Sequence, residues 1–203
     1  MTLHRRDVVA RLLEKRGALL VVAGLGSTAW DITAAGDSDL SFPLWGAMGQ
    51  AAMIGLGLAL AQPKRRVLVI TGDGEMLLGL GALATIGVQQ PPNLALVVID
   101  NERYGETGMQ ATHTAHGVDL AAVAKACGFR SSRTFRYRKD IAKLRGDIHR
   151  RTGPLFAAIK VMEETLPLVL PPHDGVMLKT RFRRALLGNV RERGTKVPPQ
   201  TPS

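Results

Sequence analysis

Residues 67–75 read VLVITGDGE. The first five are apolar or β-branched, and the last four are two glycines and two acids. A short, uninterrupted apolar run of this kind is typical of a strand buried on both faces of a parallel sheet. At the turn that follows, bare backbone N–H groups are suited to bind phosphate, and the carboxylate of Asp73 is suited to bind a cation. The stretch therefore predicts a buried strand that ends in a ligand-binding turn.

Two further apolar runs have the same form. Residues 19–23 lead into GLGST at 24–28, and residues 94–99 lead into DNER at 100–103. Apolar periodicity and small residues predict helices at 3–15, 47–61, 76–88 and 120–127, and a late strand at 155–161. Strands that alternate with helices predict an α/β fold, with an open, mostly parallel sheet covered by helices on both faces. Ligands of such sheets bind at the carboxyl ends of the strands, so the three strand ends form the candidate site.

The composition indicates one domain and a basic tail. A chain of 203 residues that is 45% hydrophobic can bury one sizeable core. Its net charge of +10 is uneven, because residues 1–129 carry 10 Lys+Arg against 11 Asp+Glu whereas residues 130–203 carry 17 against 6. We expect a single domain over residues 1–188, followed by a basic, Pro-rich tail over 189–203 that is disordered.

Cysteine usage and hydropathy indicate a cytoplasmic protein. Cys127 is the only cysteine, so a disulfide framework is excluded, and we interpret this residue as a buried apolar side chain. The charged start shows no apolar signal core, and no run of about 18 uncharged apolar residues occurs. We therefore expect no membrane partner.

Two motifs together resemble a known family. Gly72-Asp73-Gly74, followed 28 residues after the aspartate by Asn101, resembles the signature of thiamine-diphosphate enzymes. Residues 45–49, WGAMG, resemble the stretch with which that family grips the aminopyrimidine ring of the cofactor. Residues 100–108 with the THT at 112–114 are most similar to the small, or beta, subunits of sulfopyruvate and phosphonopyruvate decarboxylases. The resemblance implies the diphosphate-binding (PP) type of the thiamine-diphosphate-binding fold.

The resemblance also implies roles for individual residues. Mg²⁺ would be bound by the side chains of Asp73 and Asn101 and by the backbone carbonyl of Arg103. Met48 would wedge beneath the cofactor, and the carbonyl of Gly46 would accept a hydrogen bond from its amino group. The full set implied to bind the cofactor is Gly26, Ser27, Thr28, Gly46, Met48, Gly72, Asp73, Gly74, Glu75, Asn101, Tyr104 and Gly105.

Met48 is also the first of three candidates for a catalytic role. His113 lies in a polar loop after the third strand, where it is close enough for proton transfer. Glu106 lies near a glutamate that some relatives use, although the matching position here is Thr107. For both residues, a solvated loop side chain is the competing interpretation.

The resemblance further implies a partner and a reaction. Full-length relatives carry a pyrimidine-binding domain whose glutamate activates the cofactor, and we expect a separate alpha chain to supply that domain in a hetero-oligomer. The implied activity is that of a lyase, a decarboxylase of a small 2-oxoacid. The alternatives are a subunit of a split acetolactate-synthase-like or 2-oxoacid-oxidising enzyme, and a non-catalytic binding module.

Simpler interpretations stand beside these motifs. A Gly-Asp-Gly at a strand end is also a common turn. The fragments GLG at 24–26 and at 55–57 lack the third glycine of a dinucleotide fingerprint. The basic run 130–151, which contains Phe135 and Tyr137, is interpreted as a solvated helix with its flanks or as a docking surface for an acidic substrate or partner. We do not interpret it as a nucleic-acid patch, because no recognised binding motif accompanies the charge.

Overall fold

The computed structural model describes residues 3–150 and 152–188 of the chain. Among these residues, six strands form one sheet in which every neighbouring pair is parallel. The strands of the sheet are β1 (Leu20–Ala23), β2 (Ser41–Pro43), β3 (Val67–Gly72), β4 (Leu94–Asp100), β7 (Ser131–Phe135) and β8 (Leu155–Lys160), and a separate antiparallel hairpin is formed by β5 (Arg103–Tyr104) and β6 (Gln110–Ala111).

Helices connect these strands. They are α1 (Arg5–Leu13), α2 (Ser27–Ala34), α3 (Ala51–Ala61), α4 (Asp73–Leu78), α5 (Gly81–Gln89), α6 (Leu120–Ala126), α7 (Arg138–His149) and α8 (Gly175–Leu187), with a short 3-10 turn at His113–His116. None of the helices in the described parts of the chain is long and apolar enough to cross a membrane.

Alternate residues of the strands supply two separate cores, one on each face of the sheet. On one face, side chains such as Val22, Val69 and Leu96 pack against α3, α5 and α6. On the other face, side chains such as Ile70 and Val97 pack against α1 and α7. Because both faces are covered, the central strands are apolar at nearly every position, which is the pattern that identified them in the sequence.

The sheet order creates the cleft. The strands lie in the order β2-β1-β3-β4-β8-β7, so the chain moves outward from β1 to β2 and then returns to the other side of β1 with β3. The crossover connections therefore leave in opposite directions from β1 and β3, and a crevice opens between the carboxyl ends of these strands. The prediction of an open parallel α/β sheet is confirmed.

Two predicted helices have different limits in the structure. The predicted helix 47–61 begins only at Ala51, because Ala47 and Gly49 adopt left-handed backbone angles, with φ of 58° and 86°. The predicted helix 76–88 is divided into α4 and α5 at Gly79. There the backbone meets Gly49 so closely that a Cβ on Gly79 would lie 2.1 Å from the Gly49 carbonyl oxygen.

Several elements were not predicted from the sequence. These are α2, α8, the short strand β2, the edge strand β7 and the β5–β6 hairpin. The strands concerned are short or polar, so they carry no continuous apolar run. The predicted tail 189–203 lies outside the described residues.

Candidate functional site

A cleft that is partly open to solvent lies at the carboxyl ends of β1, β3 and β4. The residues after these strands line it, as the sheet topology requires. The predicted site residues on its walls are Ser27, Thr28, Met48, Gly72, Asp73, Gly74, Glu75, Asn101, Arg103, Tyr104, Gly105 and Glu106. Gly26, Gly46 and His113 are not among the lining residues. The structure therefore brings together most of a set that is scattered over 80 residues of sequence.

Asp73 begins α4 and is buried, and two hydroxyl groups fix one of its oxygen atoms. Thr112 Oγ1 donates to Asp73 Oδ2 at 2.6 Å, and Thr114 Oγ1 lies 3.3 Å from the same atom. Asp73 Oδ1 receives no side-chain hydrogen bond from the described residues. One carboxylate oxygen is thus held by the protein, and the other has no competing side-chain partner.

A second buried carboxylate lies close to the first. Asp100, at the end of β4, accepts a hydrogen bond from Thr114 Oγ1 at 2.8 Å and pairs with Lys160 Nζ at 2.8 Å. Lys160 also contacts Glu102 Oε1 at 2.6 Å. The pKa of the Asp73 carboxyl is raised to about 6, mainly by burial, with the Thr112 hydrogen bond opposing the rise and the charge of Asp100 adding to it. Lys160 therefore pairs with Asp100 and Glu102, whereas Asp73 forms no ion pair with any of the described residues.

The Asn101 amide lies at the turn into the hairpin. Its Oδ1 accepts the backbone N–H of Arg103 at 3.1 Å, and Glu102 adopts a left-handed φ of 62°. An amide oxygen has a second lone pair, so this turn leaves Asn101 able to bind a cation as well. The guanidinium group of Arg103 is directed to Glu163, to which its Nε donates at 2.8 Å.

Tyr104 packs its ring against the backbone of Gly74. A Cβ on Gly74 would lie 2.5 Å from Tyr104 Cε1, so only glycine fits this position without moving the ring. The close approach of Tyr104 therefore accounts for glycine at this position, and both residues line the cleft.

The Glu75 side chain is turned inward, away from solvent. Its Oε2 accepts a hydrogen bond from Thr71 Oγ1 at 2.8 Å, whereas Oε1 lacks a partner among the described residues. Burial raises the pKa of this carboxyl. The carboxylate contacts the backbone of Gly24 at the end of β1, so it fixes the spacing between two of the strand ends that form the cleft.

Met48 stands on a constrained loop at the cleft wall. The loop is bounded by Ala47 and Gly49 in left-handed conformations and is pressed against Gly79. Met48 nevertheless keeps 38% of its surface exposed. Trp45, at the start of this loop, stacks on His173 and donates its indole N–H to the Pro172 carbonyl at 2.8 Å. The backbone thus holds an apolar side chain in an exposed position over the cleft.

Two residues that complete the cleft could not be identified from the sequence. Arg5, at the start of α1, pairs with Asp31 of α2, and both side chains are buried. Arg6 contacts the other oxygen of Asp31 at 3.0 Å. Burial raises the pKa of the Asp31 carboxyl, and Arg5 and Arg6 oppose that rise. These residues lie some 25 positions apart and in no motif, so only the packing of α1 on α2 reveals their pairing.

Glu106 lies over the turn that follows β1, where a Cβ on Gly26 would be 2.7 Å from Glu106 Oε1. Glu106 also borders the cleft. Burial raises the pKa of its carboxyl, and the charge of Arg5 lowers it. His113 and His116 lie in the 3-10 turn with exposed side chains. Neither histidine lines the cleft.

The basic run 130–151 also lies elsewhere. It forms the edge strand β7 and the helix α7, and no cleft residue comes from it. Arg145 pairs with Glu14, which follows α1, and Arg150 pairs with Asp147. The positive charge of β7 and α7 therefore lies at the β7 edge of the sheet and outside the cleft.

The oxygen atoms that line the cleft suit a metal ion that is bound partly by the protein and partly by a ligand molecule. Within residues 3–150 and 152–188, no three His, Cys, Asp or Glu side chains are grouped as a metal site. The cleft instead offers the carboxylate of Asp73, which forms no ion pair among the described residues, and the amide oxygen of Asn101. Mg²⁺ is commonly bound by one or two protein oxygens together with phosphate oxygens of a ligand.

Comparison with protein families places this cleft in a known context. The family described as "Thiamine pyrophosphate enzyme, C-terminal TPP binding domain" matches residues 31–159. That range includes the end of α2, the Met48 loop and all of β3, β4 and the hairpin. The predicted family resemblance is confirmed.

Individual relatives agree with that match. The chain is 35% identical over 185 residues to sulfopyruvate decarboxylase subunit beta of Methanocaldococcus jannaschii, covering 90% of this chain and 96% of the relative. It is 38% identical over 164 residues to phosphonopyruvate decarboxylase of Streptomyces viridochromogenes, covering 80% of this chain and 41% of that longer protein. The crystal structure of benzoylformate decarboxylase from Polynucleobacter necessarius is similar in fold, with a TM-score of 0.67 at 19% identity over 83% of this chain and 35% of that chain.

Proposed function

This chain belongs to the thiamine pyrophosphate enzyme family, and we propose that it is the cofactor-binding subunit of a two-subunit decarboxylase that acts on small 2-oxoacids. In this proposal, residues 1–188 form one thiamine-diphosphate-binding domain. The relatives that it matches over nearly their whole length are named as beta subunits, which supports the existence of a partner alpha chain. The partner would supply the pyrimidine-binding domain and its glutamate.

The single observation that carries the proposal is the buried carboxylate of Asp73. Burial raises its pKa to about 6, and it forms no ion pair with a Lys, Arg or His among the described residues. A divalent ion would compensate the charge of this carboxylate, and the diphosphate of the cofactor would supply the remaining oxygens. The donor set of the cleft therefore fits Mg²⁺ together with thiamine diphosphate.

Each wall of the cleft has a proposed task. Asp73, Asn101 and the Arg103 carbonyl would bind the ion. The backbone of Gly74 and Glu75, with Ser27 and Thr28, would donate to the diphosphate, and Gly26, Gly72, Tyr104 and Gly105 would shape its surroundings. Met48 would support the cofactor in its bent form, with the Gly46 carbonyl receiving the amino group. Glu106 stays a candidate for substrate contact because it borders the cleft, whereas exposed His113 would need a movement of its turn to act.

The chemistry follows from these positions. When bound, thiamine diphosphate supplies an electron sink for the electron pair left behind when CO₂ departs. The protein contributes orientation, charge compensation and exclusion of water. The names of the relatives support an anionic 2-oxoacid, sulfopyruvate or phosphonopyruvate, as substrate.

The test uses the full chain mixed with the product of the adjacent reading frame as partner. Calorimetry should detect thiamine diphosphate binding only when Mg²⁺ is present, and Mg²⁺ alone should bind weakly. Asp73→Ala should abolish the Mg²⁺-dependent binding and leave the thermal unfolding of the metal-free chain in place. The matched control is Asp39→Ala, because the Asp39 side chain is 68% exposed. Unchanged affinity in Asp73→Ala would refute the site.

Product analysis then separates the reaction classes. Labelled sulfopyruvate, phosphonopyruvate and pyruvate are supplied in turn to the reconstituted pair. CO₂ with an aldehyde supports a decarboxylase, whereas an acyloin or an acyl-CoA product identifies a synthase or an oxidising enzyme. If thiamine diphosphate fails to bind even with the partner present, the chain is a non-catalytic binding module.

A further inference from the structure

Two threonines connect the carboxylates of the cleft. Thr112 and Thr114 follow the β5–β6 hairpin, and both are buried. Their hydroxyl oxygens lie 2.9 Å apart. They join Asp73, at the start of α4, to Asp100, at the end of β4, so one short segment links two of the strand ends that form the cleft.

The direction of each hydrogen bond follows from counting protons. A threonine hydroxyl has one proton to donate. Thr114 is closer to Asp100 (2.8 Å) than to Asp73 (3.3 Å), so its proton goes to Asp100. The Thr112 proton then goes to Asp73 Oδ2 at 2.6 Å. Thr112 therefore donates to Asp73, and Thr114 donates to Asp100.

Lys160 fixes the far end of this arrangement. Its ammonium group pairs with Asp100 Oδ2, the oxygen that Thr114 does not use. Asp100 therefore has a fixed donor on each oxygen and cannot rotate freely. Lys160, at the end of β8, therefore fixes the orientation of Asp100. The contacts through Thr114 and Thr112 then fix the orientation of the Asp73 carboxylate.

We infer that Thr112 and Thr114 are positioning residues of the metal site: Thr112 holds Asp73 through Oδ2, and Thr114 contacts both Thr112 and Asp100, so that Oδ1 of Asp73 is presented to the ion in one orientation. The inference rests on the proposed function, because it takes Asp73 as a Mg²⁺ ligand. Neither threonine lines the cleft, so both would act through Asp73 and not by contact with the cofactor.

The fixed orientation of the Asp73 carboxylate should affect the relative affinities for Mg²⁺ and Ca²⁺. Mg²⁺ requires near-octahedral geometry at short distances, whereas Ca²⁺ accepts longer and less regular coordination. Residues that orient a ligand typically change metal affinity by about 10- to 100-fold when they are removed. A carboxylate released from Thr112 would therefore lose more affinity for Mg²⁺ than for Ca²⁺.

The experiment compares Thr112→Val with Thr112→Ser in the full chain with its partner. Calorimetry measures the affinity for thiamine diphosphate while Mg²⁺ or Ca²⁺ is titrated. We expect Thr112→Val to lower the Mg²⁺-supported affinity about tenfold or more, to lower the Ca²⁺-supported affinity less, and Thr112→Ser to keep both within about threefold of the wild type. Thr33→Val is the control, because it removes a threonine hydrogen bond of 2.8 Å outside the cleft.

The possible results are separable. Equal losses with both ions, or no loss, would overturn the positioning role while the wild-type binding still supports the proposed function. Failure of the wild type to bind thiamine diphosphate with either ion would overturn the proposed function itself. Should Thr112→Val not fold, Thr114→Val gives the same comparison, with a smaller loss expected because Thr114 donates to Asp100 and acts on Asp73 through Thr112.

Discussion

The carboxylate of Glu75 lies against the backbone of Gly24, so closely that a Cβ on Gly24 would fall 1.7 Å from Glu75 Oε2. Glu75 is buried and bonded to Thr71, so it cannot swing into solvent to make room. We expect Gly24→Ala to destabilise the protein by about 1–3 kcal/mol, which is the usual cost of overpacking. Urea unfolding measures this change.

A double-mutant cycle identifies the cause of that loss. Removing the carboxylate with Glu75→Ala opens the space into which the new methyl group must fit. Gly24→Ala should then cost less in the Glu75→Ala background than in the wild type. Equal costs in the two backgrounds would show that the Gly24 backbone conformation, and not the contact with Glu75, is responsible.

Helix α3 offers a matched pair of glycines two residues apart. A Cβ on Gly55 would lie 2.1 Å from Val69 Cγ2 of the sheet, whereas a Cβ on Gly57 meets nothing within 4 Å. We expect Gly55→Ala to destabilise by about 1–3 kcal/mol through overpacking. Gly57→Ala should stabilise by about 0.5–1 kcal/mol through helix propensity. Thermal and urea unfolding compare the two variants, and changes of the same sign would contradict the packing of this helix.

The central strands and their functional turns could be predicted because the physical signal is local. Each of β1, β3 and β4 is a short apolar run, and Gly or Asp follows where the chain must turn and bind. Glycine spacing likewise pointed to a small-residue helix at α3, although the strain at Ala47 that delays its start was not visible. The edge strand β7 reads SSRTF, with exposed positions and no apolar run, so it carried no such signal.

The connections between distant residues could not be predicted. Thr112 and Thr114 were noted only as part of a motif, because their contact with Asp73 depends on how the hairpin returns to the sheet. Arg5 and Asp31 meet through the packing of α1 on α2, which no local pattern encodes. Lys160 reaches Asp100 because β8 inserts beside β4, a neighbour relation set by topology alone.

The titration of Asp73 gives the metal-free protein a defined pH dependence. Burial raises its pKa to about 6 in the folded chain, whereas an unfolded aspartate titrates near about 3.9. Between these values the folded state binds more protons, so the contribution of Asp73 to stability is present below about pH 4 and is lost as the pH rises through about 6. We expect the free energy of unfolding to fall with pH over this range.

The comparison with Asp73→Asn isolates this group, since Asp31 and Glu75 also have raised pKa values. The wild type should lose on the order of 2 kcal/mol relative to Asp73→Asn between pH 4 and pH 7. Urea unfolding without divalent ions measures the difference. Parallel pH curves for the two proteins would show that Asp73 titrates normally in the folded state. Mg²⁺ with thiamine diphosphate should reverse the trend, because binding then requires the ionised carboxylate.

The two arginines that contact Asp31, Arg5 and Arg6, should contribute unequally to the free energy of unfolding. Arg5 is 4% exposed and Asp31 is fully buried, so removing the guanidinium leaves a carboxylate that only Arg6 still contacts. We expect Arg5→Met to destabilise by about 3–5 kcal/mol, the usual cost of removing one member of a buried ion pair. Arg6→Met should cost no more than about 1 kcal/mol, because Arg6 is partly exposed and Asp31 keeps its shorter bond to Arg5.

The double variant Arg5→Met/Asp31→Leu distinguishes an unpaired charge from lost packing. With both charges replaced by apolar groups, the desolvation cost disappears, and much of the stability lost in Arg5→Met should return. Circular dichroism during urea unfolding measures all four proteins on one scale. If the double variant is no more stable than Arg5→Met, then the hydrogen bond from Arg5 to the Ser27 carbonyl, and not the ion pair, holds α1 to the first turn of α2.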